Sequence, residues 1–154
     1  MGIFSLFRKK QPLFSADESA RIVSAIREAE QATSGEVRVF IERKNPLVNT
    51  LERAANIFYE LKMQQTENRN GVLLYLASDH REVALFGDEG IHQALGSAWW
   101  DKEVETMLLY FKRHDLTTGI EQCILHVGQA LKEKFPYRAG IDRNELPDEI
   151  IFGR

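Results

Sequence analysis

An uninterrupted apolar run at residues 72–77, bounded by Gly71 and Ser78, limits the fold more than any other part of the sequence. Such a run is typical of a strand that is covered on both faces, because both sets of alternating side chains then need apolar partners. It predicts the central strand of a sheet. With 44% hydrophobic residues, the 154-residue chain can supply those partners within one domain, without disulfides or a structural metal.

Helical and strand patterns alternate around this run. Ser15 and Glu18 have the spacing of a capping box, which predicts a helix over about residues 16–33. Alternating β-branched residues predict a strand over residues 36–42, and a second helix follows over residues 47–63. After a polar link, a third strand is predicted over residues 82–86. Helical spacing then predicts a short helix after Gly90 and two longer helices, over about residues 97–113 and 116–135.

The lengths of the connections set the strand directions. The first two strands are joined through a helix, so they should be parallel with a right-handed crossover, whereas the short link before the third strand permits only an antiparallel hairpin. The predicted fold is α/β, a three-layer α/β/α sandwich around a small mixed β-sheet. We expect a flexible N-terminal segment at residues 1–13, a single domain at 14–136, and an extended tail at 137–154 that packs on the domain or is partly disordered.

Charge and hydropathy exclude several classes of protein. The chain has 20 basic and 23 acidic residues, so its net charge of -3 gives no field suited to nucleic acid. At the N-terminus the apolar residues precede the basic ones, the reverse of a secretory signal, and no run approaches the roughly 20 apolar residues of a membrane span. We therefore expect a cytoplasmic monomer with a protein partner. Contact of residues 3–10 with an anionic membrane surface remains an alternative.

Oxygen-bearing side chains gather where the first two strands begin and the third ends. We call this set the acidic edge: Glu36, Glu67, Asn70, Asp88 and Glu89. Hard cations such as Ca²⁺ and Mg²⁺ need several oxygen ligands, so a divalent-cation site is predicted there. Its expected ligands are four members of this edge, together with Asp101 if its helix folds back over the loop: Glu36, Asn70, Asp88, Glu89 and Asp101.

Two other interpretations of this edge stay open. Arg69 lies beside the acidic edge in the sequence and is a candidate to bind phosphate, in which case a metal held there would assist phosphoryl transfer. In the simpler interpretation Asp88 caps the short helix that follows, while Glu36 and Glu89 are solvated.

The opposite edge of the predicted sheet offers an alternative site at Asp79, His80 and Arg81. Ligands of open α/β sheets usually bind beyond the carboxyl ends of parallel strands, which is this edge, although a polar hairpin turn explains the same residues. The sequence contains no nucleophile elbow, P-loop, dinucleotide fingerprint or EF-hand loop, so no catalytic residue is assigned.

Three segments carry a resemblance to a known family: Ser-Gly-Glu-Val-Arg-Val at 34–39, Asn-Arg-Asn-Gly-Val-Leu-Leu-Tyr at 68–75, and Ala-Leu-Phe-Gly-Asp-Glu-Gly-Ile at 84–91. With Gly-Ile at 119–120 and Asn-Glu-Leu-Pro-Asp-Glu at 144–149, the sequence resembles the TPM domain family over about residues 14–150. The resemblance implies an α/β/α sandwich with divalent-cation binding in its loops. A plant thylakoid-lumen branch is described as acid phosphatase-like and linked to photosystem repair. Since the chain shows no export signal or membrane anchor, that repair role is not carried over.

Three functional hypotheses follow. The leading one is an interaction or regulatory module whose sheet-edge loops bind Ca²⁺ or Mg²⁺. The second is a metal-assisted, acid phosphatase-like phosphomonoester hydrolase that uses the same loops. The third is an adaptor that associates peripherally with a membrane.

Overall fold

A computed structural model describes residues 12–137 and 149–153 as a mixed four-stranded sheet with helices on both faces. The five helices of this part of the chain are α1 Ala16–Gln31, α2 Thr50–Glu60, α3 Glu89–Leu95, α4 Ser97–Lys112 and α5 Leu116–Lys134. The four strands are β1 Glu36–Glu42, β2 Gly71–Ala77, β3 Glu82–Gly87 and β4 Ile150–Phe152. The Ser15–Glu18 capping box begins α1, as predicted, because both reciprocal hydrogen bonds are present.

The strand order is β3-β2-β1-β4. β1 pairs in parallel with β2, and β3 pairs antiparallel with β2, which confirms the crossover and the hairpin. Glu36 is paired with Gly71, and Val72 with Gly87, so the starts of β1 and β2 and the end of β3 align. This register places the loops of the acidic edge side by side.

Strand β4 was not predicted. It pairs in parallel with β1, with Val39 opposite Ile150 and Ile41 opposite Phe152. Only an extended tail was expected in this region. The rest of that tail, at residues 138–148 and 154, lies outside the described residues, as do residues 1–11 and the proposed membrane contact at 3–10.

The sheet separates two apolar layers, which confirms the α/β/α sandwich. On one face the strands pack against α1, α3, α4 and α5, with Ile22, Leu74 and Ile124 fully buried. On the other face α2 covers β2 and β3 through residues such as Phe58, against Tyr75. The continuous apolar run of β2 is therefore buried on both sides, as its sequence predicted.

All seven residues of β1 are buried, including three charged ones. Glu36, Arg38 and Glu42 share the face of the sheet that α2 covers only in part, since α2 contacts β2 and β3. Charged groups removed from water need partners inside the protein. The two ends of β1 are therefore the places where polar chemistry concentrates. Within residues 12–137 and 149–153, no helix is long and apolar enough to cross a membrane.

Candidate functional site

Backbone hydrogen bonds join the loops of the acidic edge. The Glu36 N–H donates to the Asn70 carbonyl at 3.4 Å, and the Asp88 N–H donates to the Gly71 carbonyl at 2.9 Å. The Gly90 N–H donates to the Arg69 carbonyl at 2.9 Å, which ties the first turn of α3 to the same loop. The segment before β2 is thus held between β1 and α3, and its side chains have fixed positions.

Asp88 and Arg69 form a bidentate ion pair at this edge. The buried Asp88 carboxylate accepts hydrogen bonds from Arg69 Nε at 2.7 Å and Arg69 Nη2 at 2.8 Å. Arg69 Nη1 also lies 3.5 Å from Glu89 Oε1. The hydrogen bond to Asp88 raises the pKa of the Arg69 guanidinium, which stays charged. Arg69, the candidate phosphate-binding residue, therefore already pairs with the carboxylates of Asp88 and Glu89.

The simpler interpretation, in which Asp88 is a helix cap and two glutamates are solvated, can be compared with the structure residue by residue. Asp88 is the N-cap of α3, since its Oδ1 accepts the Glu89 N–H at 2.8 Å, so the capping interpretation is confirmed. The Glu89 side chain is exposed, as expected of a solvated residue. Glu36 is only 2% exposed, so the expectation of a solvated side chain is wrong for this residue. It is buried because β1 is an interior strand whose first residue lies beneath the loop before β2.

Asn70 contributes an oxygen that accepts no hydrogen bond from the described residues. The residue is 1% exposed. Its Nδ2 donates to Ser34 Oγ at 3.2 Å, and its backbone N–H donates to Thr66 Oγ1 at 3.3 Å. Its Oδ1 is buried with no donor among the described residues. A buried amide oxygen without a donor is costly, and in native proteins a water or an ion usually accounts for it.

The predicted ligands share one edge of the sheet without forming a ready-made metal cluster. In the part of the chain that the structure describes, no group of three or more His, Cys, Asp or Glu side chains is arranged to hold a metal. Asp101, on α4, lines the same groove as Asp88 and Glu89. The groove has a volume of about 950 Å³.

At the opposite edge, the alternative site forms the turn between β2 and β3. The Asp79 N–H donates to the Arg43 carbonyl, and Asp79 lines a cavity of about 630 Å³. His80 Nδ1 accepts the Asn45 N–H at 3.1 Å. Arg81 is exposed and has a left-handed backbone, with φ 53°. Among the described contacts, no hydrogen bond or ion pair joins the side chains of these three residues, which form a polar hairpin turn.

Sequence reasoning missed a buried polar group at the carboxyl end of β1. Glu42 accepts hydrogen bonds from Arg53 Nε at 2.8 Å and Nη2 at 3.0 Å, and also from the Tyr75 hydroxyl. Burial alone would raise the pKa of Glu42, but the hydrogen bonds from Arg53 and Tyr75 outweigh it and lower the pKa. Its signal in the sequence was an acidic residue that ends an apolar strand. Since the carboxylate is held by both partners, we interpret the group as structural.

Comparison with known proteins adds a family to this geometry. The family model described as TPM domain matches residues 8–130. The chain belongs to the TPM domain family. A comparison with curated proteins found no match.

This TPM domain shares its fold with several solved structures. It is similar to the NMR structure of the BA42 protein from the psychrophilic bacterium Bizionia argentinensis, with 36% identity, a TM-score of 0.85, and coverage of 94% of this chain and 99% of that one. The N-terminal domain of a P. gingivalis protein has 19% identity and a TM-score of 0.65, covering 80% and 79% of the two chains. The N-terminal domain of cg2496 from Corynebacterium glutamicum has 13% identity and a TM-score of 0.60, covering 80% and 86%. The last two show the fold alone.

Proposed function

We propose that this TPM domain binds a divalent cation, Ca²⁺ or Mg²⁺, in the loops of the acidic edge and serves as an interaction module for a protein partner. The observation that carries the proposal is the buried Asn70 Oδ1, which has no donor among the described residues. Asn70 follows Arg69, whose side chain pairs with Asp88 in the neighbouring loop. Amide and carboxylate oxygens are the ligands that both cations prefer.

The Asp88–Arg69 pair fits this proposal if Arg69 acts as a resident cation. A guanidinium already neutralises Asp88, so an incoming divalent ion competes with Arg69 for the carboxylate. That competition lowers the apparent affinity. It also couples binding to structure, because the Arg69 carbonyl holds the Gly90 N–H in the first turn of α3. We expect release of the Arg69 side chain to alter the start of α3 and the surface offered to a partner, because its carboxylate partner Asp88 is also the N-cap of that helix.

An amide NMR titration with Ca²⁺ and then Mg²⁺ tests the proposal. We expect saturable shifts at the amides of Gly71, Asp88 and Gly90. They should vanish in Asp88→Asn and persist in the control Asp79→Asn, which makes the same change at the opposite edge. Because Asp88→Asn also leaves Arg69 unpaired, Arg69→Gln provides a second variant. Removing the competing guanidinium should strengthen cation binding. Flat spectra, or shifts confined to the Asp79 turn, would refute the site.

A phosphatase assay on a generic phosphomonoester, with each cation in turn, distinguishes the hydrolase hypothesis from the interaction module. The engaged guanidinium of Arg69 does not favour this hypothesis, because phosphoryl transfer needs cationic groups that are available to the phosphate oxygens. We expect no metal-dependent turnover. Turnover that requires the cation and is lost in Asp88→Asn would replace the module by an enzyme that uses the same loops.

A further inference from the structure

We propose that the groove beside β3 binds an extended peptide segment of another protein, which adds to the sheet as a fifth strand and in which apolar and basic residues alternate. The groove runs between α2 and α4, and β3 forms part of its lining. One side of the groove is formed by residues 48–51 and Tyr59, and its floor by residues 83 and 85–89. The other side is formed by residues 92, 93, 97, 100, 101, 104 and 105, and Arg69 lies at one end of β3.

β3 is an edge strand with an available set of backbone groups. The strand order leaves β2 as its only partner in the described sheet. The Asp88 N–H bonds to the Gly71 carbonyl at the end of this ladder, and antiparallel pairing alternates from there. The N–H and C=O groups of Val83 and Leu85 therefore point away from β2. Within residues 12–137 and 149–153, no backbone hydrogen bond joins Val83 or Leu85 to an element other than β2.

β3 also lacks two features that often block an edge, a proline and a very short strand. It has six residues and contains no proline, whereas the opposite edge strand, β4, has only three. Natural proteins usually keep edge strands short, charged or covered, because an open edge recruits another strand. An edge strand of this length that lines a groove matches the known mode of peptide recognition by strand addition.

The two walls of the groove differ in chemistry. On the α2 side lie exposed apolar side chains: Val48 is 101% exposed, Leu51 53% and Tyr59 49%. On the α4 side lie the exposed carboxylates of Asp101 and Glu105. An added strand continues the sheet, so its successive side chains point alternately to the two helical layers. One set meets an apolar wall and the other an acidic wall, which gives the alternating pattern of the peptide.

The charge of the whole groove supports the same occupant. Its lining contains four carboxylates, of Asp88, Glu89, Asp101 and Glu105, against a single arginine. That arginine, Arg69, is engaged with Asp88 and Glu89, so the acids on α4 are left to attract a basic partner.

Trp100 adds an independent sign of a ligand. It lines the groove and is 6% exposed, and its indole Nε1 has no acceptor among the described residues. A buried indole N–H usually finds a hydrogen-bond partner. A carbonyl of the bound peptide would satisfy it after a small movement of the ring.

This inference does not depend on the cation proposal. Asp101 is also an expected cation ligand and Asp88 also lines the groove, but binding of a peptide to the β3 edge and to the α4 carboxylates requires no metal ion. A peptide titration performed in the presence of EDTA therefore tests the groove alone, and a failure there leaves the cation titration unaffected.

Fluorescence anisotropy with the full chain and a short labelled peptide that alternates valine and lysine measures this binding. Three control peptides test the interaction without any change to the protein. In one, glutamate replaces lysine; in the second, the backbone amides on one edge are N-methylated; in the third, the same residues are in scrambled, non-alternating order. We expect saturable binding of the alternating peptide and roughly tenfold or greater weakening for each control, since each removes the ion pairs, the strand hydrogen bonds or the alternation.

The matched protein variants reverse two charges each. Asp101→Lys with Glu105→Lys changes the acidic wall, and Glu28→Lys with Glu133→Lys makes the same net change at exposed sites on α1 and α5. We expect roughly tenfold weaker binding for the first pair and little change for the second. Equal effects of both pairs, undiminished binding of the N-methylated peptide, or a stable dimer that pairs β3 with β3 would each overturn the proposal.

Discussion

At the scale of single residues, the buried Glu42 carboxylate shows how β1 tolerates charge inside the domain. Its side chain is 5% exposed and that of its partner Arg53 is 19% exposed, so both charged groups are largely removed from solvent. Two hydrogen bonds from Arg53 and one from the Tyr75 hydroxyl replace that solvent. Such a pair adds little net stability compared with apolar residues, but removing one partner leaves an uncompensated charge.

We therefore expect Glu42→Gln to lower the free energy of unfolding by about 3 kcal/mol, because the charge of Arg53 is left buried without a counter-ion. Urea denaturation at neutral pH measures the loss. The control is Glu121→Gln, which breaks the exposed pair between Arg21 and Glu121 and should change stability little. Equal losses in the free energy of unfolding for the two variants would mean that burial of the Glu42–Arg53 pair does not determine how much its loss destabilises the protein.

The same group should make stability depend on pH. The pKa of Glu42 is lower in the folded protein than in the unfolded chain, so its contribution is complete above the ordinary carboxyl pKa, about 4.3, and is lost as the pH falls through the folded value. In urea melts from neutral to acid pH, the difference between the unsubstituted protein and Glu42→Gln should narrow below about pH 4. A constant difference down to pH 3 would contradict this assignment.

At the same scale, the sequence predicted the identity of the acidic residues near the sheet edge but not their partners. Asp88 and Arg69 lie 19 positions apart in the chain, and their bidentate contact depends on the hairpin register and on the turn before β2. That turn holds Arg69 in a left-handed backbone conformation, with φ 50°. Neither property follows from local spacing.

At the scale of elements, the contact between α3 and the loop before β2 depends on Gly90. A Cβ at this position would lie 2.3 Å from the Asn68 carbonyl oxygen and 2.7 Å from that of Arg69, and both are backbone atoms that cannot swing aside. Gly90→Ala should therefore destabilise the fold by about 2 kcal/mol and shift the amides of the acidic edge. Thermal unfolding and an amide spectrum measure the two effects.

Gly96, at the junction of α3 and α4, provides the matched control. Its φ is +80° and a Cβ there would have no atom within 4 Å, so Gly96→Ala introduces backbone strain without a clash. We expect a loss of about 1 kcal/mol and an unchanged spectrum at the acidic edge. Disturbance of that edge by Gly96→Ala, or its absence in Gly90→Ala, would show that the packing of Gly90 does not position α3.

Periodicity was sufficient for most elements and insufficient for one. It predicted the five helices and first three strands because each has several residues with one dominant pattern, as in the apolar run of β2. β4 has three residues, Ile150–Phe152, too few for a period to be recognised. Its strand state comes from pairing with β1, far away in the sequence. The burial of Glu36 was missed for a similar reason, since this residue contacts the loop before β2, 34 positions further along the chain.

At the scale of the whole molecule, the central strand β1 pairs with one strand that is near in the sequence and one that is far away. β1 lies between β2, its neighbour in the sequence, and β4, near the other end of the chain, which is held by only three residue pairs. Short, terminal pairings open at lower free energy than central ones. We expect native-state hydrogen exchange to show protection at least about tenfold weaker for β4 amides than for β2 amides.

Gly153→Ala sharpens this measurement. The Gly153 N–H donates to the Ile41 carbonyl, and a Cβ there would lie 2.7 Å from the Phe40 ring. The substitution should speed exchange in β4 and leave β2 unchanged. Equal acceleration in both strands would mean that β4 opens only with the whole domain.

The burial of Asn70 also bears on how the molecule ages. Asparagine followed by glycine is the dipeptide that most readily cyclises and deamidates in a loose chain, and asparagine is among the thermolabile residues. Here the amide is held by Ser34 and the following glycine begins β2, so the reaction requires the sheet edge to open first. Deamidation of Asn70 would add a negative charge to the acidic edge, next to Ser34. The chemical lifetime of the folded protein is thus set by how rarely this edge opens.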